Sequence, residues 1–119
     1  SAEVIDPIWL SPLDIDPIVE SVRKTRRLCV VDNAWLTCGA SAEIVVQVLE
    51  RLQGEVDFQV KRMGFAQTTC PPAPNLEHLF YPNAQTIAAA VYHMVRDAEQ
   101  KWLPAERADL KSLDFKGPF

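Results

Sequence analysis

The hydrophobic positions of the chain fall into short blocks of different period, and these blocks predict strands that alternate with helices. Residues 4–10 are rich in β-branched and aromatic side chains and predict a first strand, placed near an edge because Pro7 cannot donate a ladder hydrogen bond. Residues 28–31 form an unbroken apolar run, typical of a strand covered on both faces in a parallel sheet. Residues 56–61 alternate apolar and polar side chains, which predicts a third strand with one buried face.

Three helices are predicted from apolar residues at helical spacing. The first follows Asp14, which can cap it, and the second opens at Gly39 and ends at Gly54. The longest begins after Asn83 and is stopped by Pro104. The resulting βαβαβ order, followed by a last helix, indicates an α/β fold.

Length and charge narrow the function classes. The 119 residues fit one domain, which we assign to residues 1–103, and the polar residues 104–119 are expected to form a tail on a neighbouring surface. The formal net charge of −4 argues against binding to nucleic acid or to an anionic membrane, because both need clustered Lys and Arg. No apolar run approaches the roughly 18 residues of a membrane span.

The three cysteines fit neither a disulfide framework nor a zinc ribbon, because their number is odd and their spacing wide. Reduced thiols in a cytoplasmic protein are therefore expected. Cys29 lies inside a predicted strand and should be inert. Cys38 precedes a helix start, where the helix dipole could lower its pKa, although a small apolar packing role is the plainer interpretation.

Few residues offer catalytic or ligand chemistry. The four glycines form no dinucleotide-binding or phosphate-binding loop. His78 and His93 have no metal-ligand partner at helical spacing, so no metal site is predicted. Asp32 and Asn33 follow the central strand at its carboxyl end, where open α/β sheets bind ligands, and they define a candidate pocket. The alternative is that Asp32 only caps the turn after a buried strand.

Several short motifs occur in a characteristic order: Pro12-Leu13-Asp14, Val30-Val31-Asp32, Gly39-Ala40-Ser41-Ala42-Glu43-Ile44, Leu76-Glu77 and Pro82. Together with the final amphipathic helix they resemble the C-terminal domain of the transketolase superfamily. The closest resemblance is to the β subunit of thiamine-diphosphate-dependent 2-oxoacid dehydrogenases, over roughly residues 3–100. One departure is that family members often carry a second glycine where Ala40-Ser41 stands here.

The resemblance implies three layers, α/β/α, around a mixed, mostly parallel sheet of about five strands. It implies no catalytic, cofactor-binding or metal-binding residue in this domain, because thiamine diphosphate and magnesium are held elsewhere in the parent enzyme. The family's Gly-Asp-Gly metal motif and its cofactor-activating Glu segment do not occur in these 119 residues. The isolated domain is therefore expected to be inactive.

What the resemblance implies is assembly within a pyruvate or other 2-oxoacid dehydrogenase, which decarboxylates its substrate and passes the acyl group to lipoamide. The expected partners are a second β subunit, the α subunit and the subunit-binding domain of the dihydrolipoyl acyltransferase. Trp35, Cys38, Glu43 and Phe119 are the predicted interface residues. Two alternatives stay open: a single-chain thiamine enzyme such as transketolase or deoxyxylulose-phosphate synthase, and a stand-alone regulatory module that binds a small ligand near Asp32.

Overall fold

The structure, a computed structural model, describes residues 1–96 and 102–105. The chain divides into two compact units, Ser1–Asn83 and Ala84–Phe119. The first unit contains α1 (Asp16–Thr25), β1 (Arg27–Val31), α2 (Ala40–Leu52), β2 (Gln59–Met63) and the short α3 (Pro74–Glu77). The described part of the second unit contains α4 (Ala84–Val95). The predicted α/β class is confirmed.

The sheet of the first unit consists, among the described residues, of β1 and β2 in parallel. Arg27 pairs with Gln59 at the amino end and Val31 with Met63 at the carboxyl end. β1 covers the strand predicted at residues 28–31, whose central position in a larger sheet stays a prediction. β2 begins later than predicted, because the N–H of Val56 donates to the carbonyl of Leu52 at 3.1 Å and thereby extends the turn after α2. Two strands are thus described, against the five that the resemblance implies.

The first predicted strand, at residues 4–10, is wrong. This segment pairs with other described residues only through an isolated bridge between Leu10 and Leu13. Local turns use its N–H groups instead, since Ile8 donates to the Asp6 carboxylate at 3.0 Å and Trp9 donates to the Pro7 carbonyl at 2.5 Å. A backbone whose donors bond within two residues cannot form a ladder.

Both predicted helices of the first unit form, with differences at their ends. The cap position of α1 is Ile15 rather than Asp14, whose carboxylate accepts a hydrogen bond from the N–H of Asp16 at 3.3 Å. α2 begins after Gly39 as predicted, and Gly54 takes the left-handed conformation just beyond its end. The buried apolar faces of the two helices form one core over the sheet: Ile15, Ile18, Val19, Val22, Ile44, Val48 and Leu52.

In the second unit α4 is shorter than the predicted helix. Trp102 lies outside it and stacks on Tyr92, with ring centroids 4.5 Å apart. The backbone N–H of Trp102 also donates to Nε2 of His93 at 3.4 Å, which holds this segment against the helix. Most of the predicted tail, including Phe119, lies outside the described residues. Within the described ranges, helices are too short or too polar to cross a membrane.

Candidate functional site

The carboxyl end of β1 is joined to the start of α2 by Asp32. Its backbone N–H continues the sheet by donating to the carbonyl of Met63 at 3.0 Å. Its half-buried carboxylate accepts a hydrogen bond from the N–H of Ser41 at 3.3 Å. A carboxylate at this position satisfies an otherwise free helix N–H group and complements the helix dipole. Asp32 therefore fixes the position of α2 on the sheet.

The loop between Asp32 and α2 is held by close backbone packing. A Cβ atom built on Gly39 would collide with the carbonyl oxygen of Trp35, and one built on Gly64 would lie 2.5 Å from that of Ala34. The same Ala34 carbonyl accepts a hydrogen bond from the N–H of Phe65 at 3.0 Å. Arg62 adds a side-chain hydrogen bond to the carbonyl of Leu36 at 2.8 Å. The loop is thus pinned to the end of β2.

Four aromatic rings pack together beside this loop. Trp35 meets Phe65 and Phe80 edge-on, each at 5.7 Å between ring centroids. Phe65 and Phe80 are stacked at 4.8 Å, and Tyr81 packs edge-on against both. These are the favourable geometries for aromatic pairs. We call Trp35, Phe65, Phe80 and Tyr81 the aromatic cluster.

The aromatic cluster has a buried base and an exposed rim. Phe80 is 5% exposed, whereas Trp35 is 44% exposed. The indole is therefore a large apolar surface whose orientation is set by the rings beneath it. Side chains of this kind, fixed in place before binding, are typical anchors of protein interfaces.

The other predicted interface residues are exposed where they are described. Cys38 has a positive φ of 60° and lies just before Gly39. Glu43, in the first turn of α2, accepts a hydrogen bond from the side chain of Gln47 at 2.8 Å. Asn33 is also exposed. The structure thus brings Trp35, Cys38 and Glu43 into one loop–helix segment.

A depression of about 290 Å³ lies at the carboxyl end of β1. Asp32 lines it, with Asp6 and Ser41, while Asn33 is not part of its wall. The hydroxyl oxygen of Ser41 is fully buried and has no hydrogen-bond partner among the described residues. The remaining walls are apolar: Pro7, Ile8, Leu10, Val30, Val31, Ala40 and Ile44.

This depression does not fit thiamine diphosphate with its magnesium ion. Its charged side chains are the carboxylates of Asp6 and Asp32, which repel a diphosphate, and its lining includes no Lys or Arg. The carboxylate of Asp32 is moreover engaged by the start of α2. Among residues 1–96 and 102–105, three His, Cys, Asp or Glu side chains are nowhere grouped to hold a metal ion.

The thiols differ in their surroundings. Burial in β1 raises the pKa of Cys29, against a smaller lowering effect of Lys61, so this thiol stays protonated near neutral pH. Cys70 is exposed, and its Sγ lies 4.0 Å from the hydroxyl of Tyr81. This hydrogen-bonding contact raises the pKa of Tyr81. All three cysteines are free, as predicted.

The sequence predicted Trp35 as an interface residue, which stays a prediction, but it did not reveal the residues that hold Trp35 in place. Phe65 and Phe80 lie far apart in the chain and show no shared period, and Arg62 reads as an ordinary strand residue. Gly64, directly after β2, was the only available signal of a close backbone approach.

Comparison with known proteins identifies the family. Residues 1–87 match the family described as "Transketolase, C-terminal domain". The chain is 40% identical over 89 residues to the β subunit of acetoin:2,6-dichlorophenolindophenol oxidoreductase of Cupriavidus necator, covering 75% of this chain and 26% of that protein. It is 42% identical over 90 residues to the mitochondrial pyruvate dehydrogenase E1 component subunit beta of Pisum sativum, covering 76% and 25%.

The β subunit of the acetoin oxidoreductase of Bacillus subtilis is a further relative, 34% identical over 94 residues, with 79% of this chain and 28% of that protein covered. The chain thus spans about a quarter of the length of the curated relatives it matches. The predicted resemblance is confirmed, and the chain belongs to the transketolase C-terminal domain family.

Proposed function

We propose that the chain is the C-terminal assembly domain of a β subunit in a thiamine-diphosphate-dependent 2-oxoacid dehydrogenase. The parent enzyme would oxidatively decarboxylate a 2-oxoacid and transfer the acyl group to lipoamide. Support comes from relatives named as β subunits of pyruvate dehydrogenase, which this chain matches over about a quarter of their length. The role of this domain is to pair subunits, and the chemistry belongs to the rest of the enzyme.

The observation that carries this proposal is the half-exposed Trp35 on the aromatic cluster. A large apolar ring left at the surface costs solvation free energy, which burial against a partner recovers. The rings below Trp35 and the bonds that hold its loop keep the indole oriented, so little entropy is lost on association. Cys38 and Glu43 extend the proposed interface along the same segment.

The proposed partners are a second β subunit, the α subunit and the subunit-binding domain of the dihydrolipoyl acyltransferase. Phe119 remains a predicted contact with the acyltransferase, on residues outside the described part of the chain. Thiamine diphosphate and magnesium belong, in this proposal, to other domains of the parent. The donor set around Asp32, which lacks a cationic side chain, is consistent with that division.

The proposal includes the finer fold, a mixed sheet of about five strands between helices. Parallel sheets are normally covered on both faces and paired along their length. Val60 in β2 is 41% exposed, and Val31 at the end of β1 is also exposed. Additional strands and helices would bury this apolar surface.

Trp35→Ala in the native protein tests the assembly role. We expect the dissociation constant of the subunits, measured by analytical ultracentrifugation, to rise by about tenfold or more, as for truncation of an interface anchor. Trp9→Ala is the matched control, because Trp9 is 71% exposed and lies outside the aromatic cluster. Unchanged assembly of Trp35→Ala, with Trp9→Ala equally unchanged, would contradict the proposal.

A second candidate substrate is acetoin, because two of the relatives are named for it. Steady-state turnover of pyruvate against acetoin by the native enzyme decides between them.

We propose the cytoplasm as the compartment, on the three free thiols. The relative from Pisum sativum is named as mitochondrial. Cell fractionation tests the compartment, and recovery of the protein in the mitochondrial fraction would contradict the proposal.

A further inference from the structure

A second depression, of about 400 Å³, lies at the amino ends of the two strands. Residues 24–27 form one wall and residues 57–59 the other. Its charged lining consists of three cations, Lys24, Arg26 and Arg27, and the single carboxylate of Asp57. The charge of this depression is opposite in sign to the net charge of the chain, which is −4.

Compensation of the α1 dipole accounts for only part of this charge. Arg23 and Lys24 lie in the last turn of α1, where cations are favoured. Both also have acidic neighbours: Arg23 forms two hydrogen bonds with Glu55, at 2.5 and 3.2 Å, and Lys24 lies 3.8 Å from Glu3. Arg26 lies beyond the helix end and forms no ion pair with any described residue.

Arg26 has a backbone conformation that is normally occupied by glycine. The residue has φ 57° and ψ 26°, the left-handed conformation that favours Gly at a helix end. Its N–H donates to Val22 at 2.8 Å and its carbonyl accepts from Gln59 at 3.1 Å, so the conformation is fixed by the fold. An arginine at a glycine-type position gains nothing for the backbone, and a strained residue of this kind points to function.

The remaining lining suits an oxyanion. Arg27 donates a side-chain hydrogen bond to the carbonyl of Thr25 at 3.3 Å, and both Arg26 and Arg27 line the depression. Phe58 adds a half-buried apolar side chain to the wall formed by residues 57–59, and its packing against the core anchors that wall. Guanidinium groups bind phosphate oxygens through paired, charge-assisted hydrogen bonds, and an apolar neighbour such as Phe58 strengthens them.

We propose that Lys24, Arg26 and Arg27 form a binding site for a phosphate group, at the end of the sheet remote from Trp35. The shared chemistry is a phosphate dianion, carried by a free phosphorylated metabolite or by a phosphorylated protein segment. The site is independent of the proposed assembly role, because its residues lie at the amino ends of β1 and β2 while Trp35 follows the carboxyl end. Binding here would give the domain a regulatory input separate from subunit pairing.

Isothermal titration calorimetry of the native protein, with inorganic phosphate and with a phosphoserine peptide, tests the site. We expect saturable binding that weakens by about tenfold or more in Arg26→Gly, the loss of one charge-assisted contact. The melting temperature of Arg26→Gly should stay equal or rise, because Gly suits the left-handed position. A role in stability alone would instead lower it.

Arg51→Gln is the matched control, since it removes the same charge from a residue that pairs with Asp16 outside the depression. Its phosphate affinity should stay within about twofold of the wild type, because Arg51 is exposed, does not line the depression, and acts on the ligand only through a charge screened by salt. A phosphopeptide that binds tighter than inorganic phosphate assigns the site to a protein segment, and equal affinity assigns it to a free metabolite. The proposal is overturned if neither probe shows saturable binding, or if Arg26→Gly and the wild type bind with equal affinity.

Discussion

The two ends of the β1–β2 sheet are built by different physical means. At the carboxyl end, backbone carbonyls, a half-buried carboxylate and the four rings of the aromatic cluster hold the loop around Trp35. At the amino end, the structure has an exposed ion pair between Arg23 and Glu55, and a depression lined by three cations, one of which, Arg26, has a left-handed backbone conformation. Packing in the first region is close and mostly apolar, whereas the second depends on charges in contact with water.

The carboxyl end therefore contributes mainly to the stability of the fold, whereas the charges of the amino end contribute little to it. Burial and close packing contribute several kcal/mol per large side chain, while exposed ion pairs contribute little. The carboxyl end should therefore tolerate few substitutions, and its exposed Trp35 gains a rigid base from that packing. The amino end can change charge at small cost to folding, and Arg26 there forms no ion pair with any described residue.

The largest expected difference in the free energy of unfolding is between the variants Phe80→Ala and Phe58→Ala. Phe80→Ala removes the buried base of the aromatic cluster and should lower the free energy of unfolding by about 3–5 kcal/mol. Phe58→Ala, at the amino end, should cost about 1–2 kcal/mol, because Phe58 is only half-buried. Urea titration of both variants measures the difference. An equal cost, or a larger one for Phe58→Ala, breaks the comparison.

The sequence predicted the carboxyl end in part. The uninterrupted run in β1 is recognisable because both of its faces are apolar, and Asp32 follows it at the carboxyl end, where a pocket was predicted. The aromatic cluster could not be predicted, since Phe65 and Phe80 follow β2 and α3 in segments without periodicity. Their meeting depends on the hydrogen bond between the N–H of Ala66 and the carbonyl of Phe80, at 2.9 Å.

The two errors in predicted strands have a common origin. Alternating side chains predicted a strand at residues 56–61, but the backbone of Val56 bonds back to Leu52 and delays β2. In residues 4–10, β-branched composition predicted a strand that the local bonds of Ile8 and Trp9 prevent. Composition reports side-chain preference, whereas the ladder depends on where each N–H finds its acceptor.

An intermediate effect is expected at two glycines. Gly39→Ala places a Cβ against the backbone carbonyl of Trp35, which cannot rotate away, and should cost about 2–3 kcal/mol. Gly54→Ala meets no atom within 4 Å but has φ +78°, and should cost only about 1 kcal/mol. Thermal and urea unfolding of the pair distinguish a collision from backbone strain. A greater loss in Gly54→Ala would show that the loop around Trp35 is not held by close packing.

The smallest effect concerns Glu55, which pairs with Arg23 near the amino end. The hydrogen bond from Arg23 is the largest effect and lowers the pKa of Glu55 below its ordinary value of 4.5; burial raises the pKa in part, and the Coulomb attraction of Arg23 is a smaller lowering effect. Because the folded state favours the ionised carboxylate, this stabilisation is complete above the unfolded pKa, near 4.5. It is lost as the pH falls through the lower, folded pKa.

The difference in unfolding free energy between wild type and Glu55→Gln should therefore be small and constant above about pH 5, and vanish under more acidic conditions. Arg23→Gln should remove the same pH dependence, and concentrated salt should reduce it, since both partners are about half exposed. Urea titrations across this pH range measure it. A difference that persists in acid, or that rivals Phe80→Ala in size, would show that the amino end is held by its charges after all.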